Sequence, residues 1–452
     1  MNLVVLPGKG INGRLSPDQP VLRVPGDKSL SHRAALFAAM AEGESRIDHF
    51  LISGVTKPML DSLTAVGVPW RIEEDTLIVN GRGLKGWKPP VYPLHCGNSA
   101  TTMRLLAGAL AAEGISATLT GSPGLLRRPM NRIVQPLRQM GVAIRAAPSG
   151  TAPIEISGRP AGNSLYAARI ELSVASAQVK TCLLLAALAA DGIVEISEPA
   201  LSRDHTERML SSQGVEITSY EEGARFVTRL VPPAHPLTPI QIALPGDFSS
   251  AAFLITAALI TPGSDLTLEG IGLNPTRTGL LDAYLEMGAD IQVFNRRVQA
   301  GEPVGDIRVR HSPLHGTQVH GPLVVRMIDE FPAFAAAALF ASGETCVSSA
   351  EELRTKESDR IACLCQELTR LGAEVTELPD GFILRRATPL GGQVDPHGDH
   401  RLAMSLALVG LAARSAVHVQ QAEIIQESFP EFPQILRALG ADVLVEESKY
   451  DG

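Results

Sequence analysis

The sequence predicts an α/β protein of two domains, each assembled from three similar units. One phrase recurs six times: an amphipathic helix ending in Gly-Val or Gly-Ala, then a strand. The glycines are Gly67, Gly141, Gly214, Gly288, Gly372 and Gly440, at intervals of 74, 73, 74, 84 and 68 residues. A residue just past a helix end often adopts the left-handed conformation, where a side chain costs energy and glycine does not. One such helix is commonplace. Six at this spacing imply six supersecondary units, each with room for two helices and about four strands. The second observation is an echo. Val24-Pro25-Gly26-Asp27-Lys28-Ser29 is matched by Leu244-Pro245-Gly246-Asp247-Phe248-Ser249, and each leads into an alanine-rich helix. The two halves therefore begin alike.

The elements follow in order. A strand at Leu3 to Val5 precedes the first such start and is assigned to the second half as a closing strand. The domains are then 23–244, and 1–22 with 245–452, with crossings near 22–25 and 243–246. Two crossings predict a hinge, and a cleft between hinged domains is a usual place for a ligand. The first helix follows Pro25 and runs apolar from Ala34 to Met40. Others open at Gly97, at Ser176 (running to Ala190), at Arg203, after Met327 and at Asp399, and Lys356 to Arg360 reads as another opening. Segments 85–93, 231–239 and 312–320 are rich in proline and polar residues and read as loops.

Composition narrows the function. The chain has 452 residues, 45% hydrophobic and only 4% aromatic, which favours closely packed helices over a binding face of rings. A formal charge of −8 disfavours nucleic acid and anionic membranes as partners. The longest apolar runs, such as 251–260 and 402–413, are too short to span a bilayer. The start lacks a basic segment before a long apolar one, so no signal peptide is read and a cytoplasmic location is expected. Five cysteines, at 96, 182, 346, 363 and 365, show neither Cys-x-x-Cys pairs nor zinc spacing, and fit reduced thiols. No metal or cofactor is expected.

The chemistry gathers at helix starts. Lys28, Ser29, Ser31 and Arg33 crowd the mouth of the first helix. Helix N-termini carry unpaired N–H groups and a positive dipole end, so they attract anions. Lysine adds a point charge, and arginine can grip phosphate or carboxylate with two parallel bonds. Capping alone would account for one hydroxyl. Similar stretches occur at Asn98 to Arg104, Arg127-Arg128-Pro129-Met130, Ser176 to Lys180, Arg203 to Thr206, Met327 to Pro332, Lys356 to Arg360 and Asp399-His400-Arg401. Singly, each reads equally as a solvated helical face, with Lys-Glu-x-x-Arg an ordinary i,i+3 pairing. Together, in both halves, they fit helix N-termini converging on one anionic ligand site.

These segments resemble the 5-enolpyruvylshikimate-3-phosphate (EPSP) synthase family, in the group called class II. The resemblance runs from Pro25 to Pro433. It is carried by PGDKSLSHR (25–33), GNSATTMRL (97–105), LLRRPM (125–130), ASAQVK (175–180), SRDHTERML (202–210), NPTRTGL (274–280), MIDEFP (327–332), LRTKESDR (353–360), DHRLAMS (399–405) and SFPEF (428–432). It implies a two-domain enolpyruvyl transferase fold, each domain made of three βαβαββ units with pseudo-three-fold symmetry. It also implies transfer of the enolpyruvyl group of phosphoenolpyruvate to the 5-hydroxyl of shikimate-3-phosphate, in the shikimate pathway of aromatic amino acid biosynthesis, by a monomer.

The resemblance assigns residues as well. Lys28, Ser29, Arg33, Ser176, Ala177, Gln178, Arg203, Asp329 and Lys356 would hold shikimate-3-phosphate. Lys28, Ala100, Arg128, Gln178, Glu357, Arg360, His400 and Arg401 would hold phosphoenolpyruvate. Lys28, Asp329 and Glu357 would share the proton transfers. The substrate pair brings a charge of roughly −6, against which stand seven cations and the carboxylates of Asp329 and Glu357.

Three departures stand out. A family glycine is here Ala100, a lysine that other members place before Ser/Thr-Phe-Pro is here Glu427, and an acidic residue expected near Gly54-Val55 is absent. Glyphosate occupies the phosphoenolpyruvate site in the family, so a methyl group at Ala100 implies weak inhibition. The sister transferase acting on UDP-N-acetylglucosamine carries a reactive cysteine on a mobile loop, and the comparable stretch, Gly121 to Met130, has none. A non-catalytic binding protein on the same scaffold would lack Glu357 or Asp329, and both are present. A phosphotransferase would call for a Gly-x-x-x-x-Gly-Lys-Ser/Thr loop, which does not occur.

Overall fold

The structure, a computed structural model, describes residues 1–447 except 9, 20 and 21, so residues 448–452 of the expected second domain lie outside the described residues. Its elements form two compact units. One comprises Gly26–Leu244 with Gln299–Glu302; the other comprises Met1–Pro25, Pro245–Val298 and Pro303–Gly452. We call these the first and second unit. Two details differ from the boundaries expected from sequence. Residues 23–25 go with the second unit, because the Pro25 carbonyl accepts from Asp247 N at 2.8 Å and Val24 packs in that unit's core. Gln299–Glu302 go with the first, where Glu302 pairs with His205 Nδ1 at 2.8 Å and the Gly301 carbonyl accepts from Arg208 at 3.1 Å.

Each unit contains three four-stranded sheets among the described residues. All follow one plan. The first strand runs parallel to the second, the second antiparallel to the fourth, and the fourth pairs with the third. In one sheet Leu94–His95 pairs with Ala117–Thr120, which pairs with Ile154–Ile156, which pairs with Ile144–Ala146. A parallel pair needs a crossover, and a helix supplies it.

Three sheets are completed from far away in sequence. Gln241–Ala243 lies parallel to Glu42–Asp48 in the first unit. In the second unit Asn2–Val5 inserts between Val417–Val419 and Val443–Glu446. Asn12–Leu15 pairs with Asp265–Gly272 in another sheet of that unit. The chain start thus supplies two strands, where the sequence suggested one. The expected loop 312–320 likewise holds a short strand, Gln318–Val319.

Twelve of the fourteen α-helices among the described residues fall into two sets. Lys57–Ala65, Asn131–Gln139, His205–Ser212, Gly279–Glu286, Arg360–Arg370 and Phe432–Ala438 end at the six repeat glycines. Every one of those glycines has a positive φ, from 82° at Gly67 to 102° at Gly440. The residue after each glycine donates its N–H five positions back, as Val68 does to Leu63 O at 2.9 Å and Ala441 to Leu436 O at 2.9 Å. This closes the helix end and turns the chain into its strand.

The second set is buried on all sides. It comprises Lys28–Met40, Ala100–Glu113 and Ala177–Ala187 in the first unit, and Phe248–Ile260, Phe331–Ala338 and His400–Gly410 in the second. Small residues let these helices touch backbone to backbone. A Cβ on Gly108 would stand 2.1 Å from the Cys182 carbonyl oxygen. The helix opening at Ser176 ends at Ala187, three residues short of the end read from sequence. Polar residues are concentrated toward the helix mouths, where side chains cap free N–H groups. Asp27 accepts from Leu30 N at 2.9 Å, Ser99 from Thr102 N at 3.1 Å, Asp247 from Ser250 N at 3.1 Å and Asp399 from Arg401 N at 2.9 Å.

Candidate active site

In the first unit the site is built from three helix mouths and two loops. Arg33, one turn into its helix and only 2% exposed, is held from three sides. It donates to Thr206 Oγ1 at 2.9 Å, Thr181 Oγ1 at 2.8 Å and the Ser29 carbonyl at 3.0 Å. Burial pulls its pKa down to about 10, against the opposing charge of Glu207, so it stays a cation at neutral pH. Arg203 donates to Ser29 Oγ at 3.4 Å, which brings Ser29, Arg33 and Arg203 together. Lys28 occupies the first helical position, where its carbonyl meets His32 Nδ1 at 2.8 Å. Burial pushes His32 down to about 4, so its ring is neutral at physiological pH.

Ala100 opens the next helix, buried, behind the Ser99 cap. Arg128 is buried too, and its amide donates to the Leu125 carbonyl at 3.0 Å. Gln178 lies in the first turn of the third buried helix, after Ser176 at the cap and Ala177. Lys180, from the same sequence motif, is turned inward. Its ammonium sits 2.8 Å from both Glu198 and Glu207 and is fully buried. Burial pushes the ammonium down, and those two charges outweigh it and hold it up at about 12. It is a structural cation, committed to its own carboxylates.

The second unit gathers its residues around Asp329. Lys356 Nζ lies 3.8 Å, Arg360 Nη1 3.6 Å and Arg401 Nη2 3.9 Å from that carboxylate. Arg360 is 2% exposed and donates to Asp399 Oδ2 and Glu357 Oε2, each at 2.7 Å. Burial opposes its charge, and Asp399 and Glu357 more than restore it, so its pKa is raised. Burial pulls Lys356 below the usual lysine range, offset in part by Asp329. Arg401 also donates to the Asp329 carbonyl at 3.0 Å. His400 is buried, with Nδ1 3.8 Å from Glu427.

The geometry corrects two expectations. Lys356 and Glu357 do not lie on a helical face, because the helix begins at Arg360 with Asp359 as its cap. The charge count also omitted Asp399, which is fully buried against Arg360. The carboxylates of Asp399, Asp329 and Glu357 balance the second unit's Lys356, Arg360 and Arg401. Thr181 and Thr206 fix Arg33, and Asp399 fixes Arg360. Their motifs were visible in the sequence, but the partners they would find were not.

A family model, EPSP synthase (3-phosphoshikimate 1-carboxyvinyltransferase), matches residues 16–436. The chain belongs to the EPSP synthase family. Curated relatives named 3-phosphoshikimate 1-carboxyvinyltransferase include one from Xanthomonas campestris pv. campestris, 47% identical over 93% of this chain and 95% of its own length. Another, from Methylococcus capsulatus, is 44% identical over 96% of this chain and 98% of its own. A solved EPSP synthase from Acinetobacter baumannii has a TM-score of 0.85 and 37% identity, with 99% of this chain and all of that one covered. The fold is therefore the two-domain enolpyruvyl transferase fold, with the repeated four-stranded sheets described above.

Proposed function

We infer that this EPSP synthase family member moves the enolpyruvyl group of phosphoenolpyruvate to the 5-hydroxyl of shikimate-3-phosphate and releases phosphate. The observation that carries the reading is the set of cations at helix mouths, two of them arginines buried to 2% exposure and held in fixed geometry by side-chain partners. Such preorganised donors suit oligoanionic substrates, because the held guanidinium groups need little reorientation as the anions bind.

Addition begins with a proton on the methylene carbon of phosphoenolpyruvate, which makes C2 electrophilic. The 5-hydroxyl of shikimate-3-phosphate attacks C2 and loses its proton. The adduct then expels phosphate as its methyl group returns a proton. Glu357 is assigned to the methylene carbon and Asp329 to the substrate hydroxyls, with Lys28 stabilising developing charge. Asp329, with three cations within 3.9 Å, is suited to accept hydrogen bonds from hydroxyls. Shikimate-3-phosphate is assigned to Lys28, Ser29, Arg33, Ser176, Ala177, Gln178, Arg203, Asp329 and Lys356. Phosphoenolpyruvate is assigned to Lys28, Ala100, Arg128, Gln178, Glu357, Arg360, His400 and Arg401.

The same reading takes the enzyme as a cytoplasmic monomer with weakened glyphosate inhibition through Ala100. Because the residues assigned to each substrate come from both units, shikimate-3-phosphate should shrink the particle in small-angle scattering. The central test is phosphate release from phosphoenolpyruvate with no metal added. Release that depends on shikimate-3-phosphate supports the reading, and release without it, or none at all, refutes it. Arg128→Ala should raise the phosphoenolpyruvate KM strongly and leave shikimate-3-phosphate affinity, measured alone, nearly intact. Equal loss for both would break the division of residues between substrates.

A further inference from the structure

Arg104 lies in the Ala100–Glu113 helix, and the roles assigned above leave it without one. Its guanidinium donates to Gln178 Oε1 at 2.6 Å and to the Pro129 carbonyl at 3.1 Å. Gln178 Nε2 in turn donates to Thr101 Oγ1 at 2.9 Å. Arginine has five N–H donors and no acceptor, so it can meet only the oxygen end of the Gln178 amide. That contact dictates which way the amide faces. Its nitrogen carries two hydrogens; one goes to Thr101, and the other remains available as a donor. A flipped amide would set its nitrogen against the guanidinium and its oxygen toward Thr101, presenting an acceptor where an anionic substrate needs a donor. The second contact holds the carbonyl of the residue that follows Arg128.

We propose that Arg104 is a positioning residue for phosphoenolpyruvate, fixing the amide of Gln178 and the loop that carries Arg128. The proposal rests on the reading of the site given above. One guanidinium thus ties together three segments, each bearing a residue assigned to phosphoenolpyruvate: Ala100, Arg128 and Gln178. Arg104 acts through Gln178 and Arg128 and needs no contact with substrate.

The test is steady-state kinetics with a double-mutant cycle. Arg104→Gln should raise the phosphoenolpyruvate KM by roughly tenfold or more, while kcat falls by about threefold or less. In a Gln178→Ala background the same substitution should raise that KM by only about threefold, because half of what Arg104 positions is already gone. Arg104→Lys keeps the charge and loses the planar fork that reaches two acceptors at once, so its KM should fall between those of the unmodified enzyme and Arg104→Gln. It carries the test if Arg104→Gln does not fold. An unchanged KM, or equal factors in both backgrounds, overturns the proposal. So does a fall confined to kcat. If the unmodified enzyme fails to release phosphate from the substrate pair, the functional reading fails instead, and the two failures are told apart by that control.

Discussion

Arg360 shows how a single side chain can be both anchored and available. Asp399 neutralises it from one side while also capping the His400–Gly410 helix through Arg401 N. Asp399→Asn keeps a good cap but removes the charge. Losing one partner of a buried ion pair costs roughly 3–5 kcal/mol, and Glu357 remains as a second partner, so the loss should fall at or below the low end. Urea unfolding measures this, and a change below ~1 kcal/mol would mean the pair is dispensable. Ala100 is a second case. Its methyl group should crowd an inhibitor longer than phosphoenolpyruvate, and overpacking of ~1–3 kcal/mol corresponds to roughly tenfold to hundredfold weaker glyphosate inhibition. Ala100→Gly should restore sensitivity with a modest change in the phosphoenolpyruvate KM. Equal inhibition of both proteins would leave Ala100 as a helix former only. The identities of the candidate residues were legible as motifs, since each sits at a helix mouth or in a loop leading to one. Their partners were not: Arg33 finds Thr206 at a separation of 173 residues and Thr181 at 148, and local sequence carries no trace of such pairings.

At the level of elements, the repeat glycines were readable because a helix end solves its hydrogen bonding locally. Gly214 separates conformation from space: its φ is 88°, yet an added Cβ would meet nothing within 4 Å. Gly214→Ala should therefore cost only the left-handed strain, about 1–2 kcal/mol. Gly108 is the opposite case, with its clash against the Cys182 carbonyl inside two regular helices. Gly108→Ala should cost more, roughly 3 kcal/mol, and should raise the phosphoenolpyruvate KM by shifting Ala100 against Gln178. Thermal unfolding and kinetics of both variants check the contrast, and a costlier Gly214→Ala would reverse it. The strand Asn12–Leu15 escaped the sequence reading for a physical reason. It is short, three of its four residues are exposed, and its ladder partner is 253 residues away.

For the molecule as a whole, two buried groups set opposing responses to pH. His32 is depressed to about 4 by burial, so the unfolded chain binds its proton more readily. That contribution is full above about pH 6.5 and is lost as pH falls toward 4. Glu113 is raised to about 7 by burial, against hydrogen bonds from the backbone of Trp87, Lys85 and Gly86. Its contribution is full below about pH 4.5 and is lost as pH rises toward 7. Each spans roughly 3 kcal/mol, so between pH 4.5 and 6.5 the slopes nearly cancel and stability should be flat. Glu113→Gln should remove one slope, leaving stability that climbs with pH across this window. A profile that already climbs for the unmodified protein and is unchanged by the substitution, measured by urea titration at several pH values, would show that Glu113 titrates normally.

The closing strands have a further consequence, for biosynthesis. Asn2–Val5 is synthesised roughly 410 residues ahead of both of its sheet neighbours, Val417–Val419 and Val443–Glu446. At common elongation rates the wait is roughly 20–80 s. Throughout that interval a nascent strand with Leu3 and Val5 uncovered must avoid pairing with other chains. The first unit, whose sheets close by Ala243, can meanwhile be complete. Translation speed, and anything fused ahead of Asn2, therefore bear on the second unit and leave the first almost untouched.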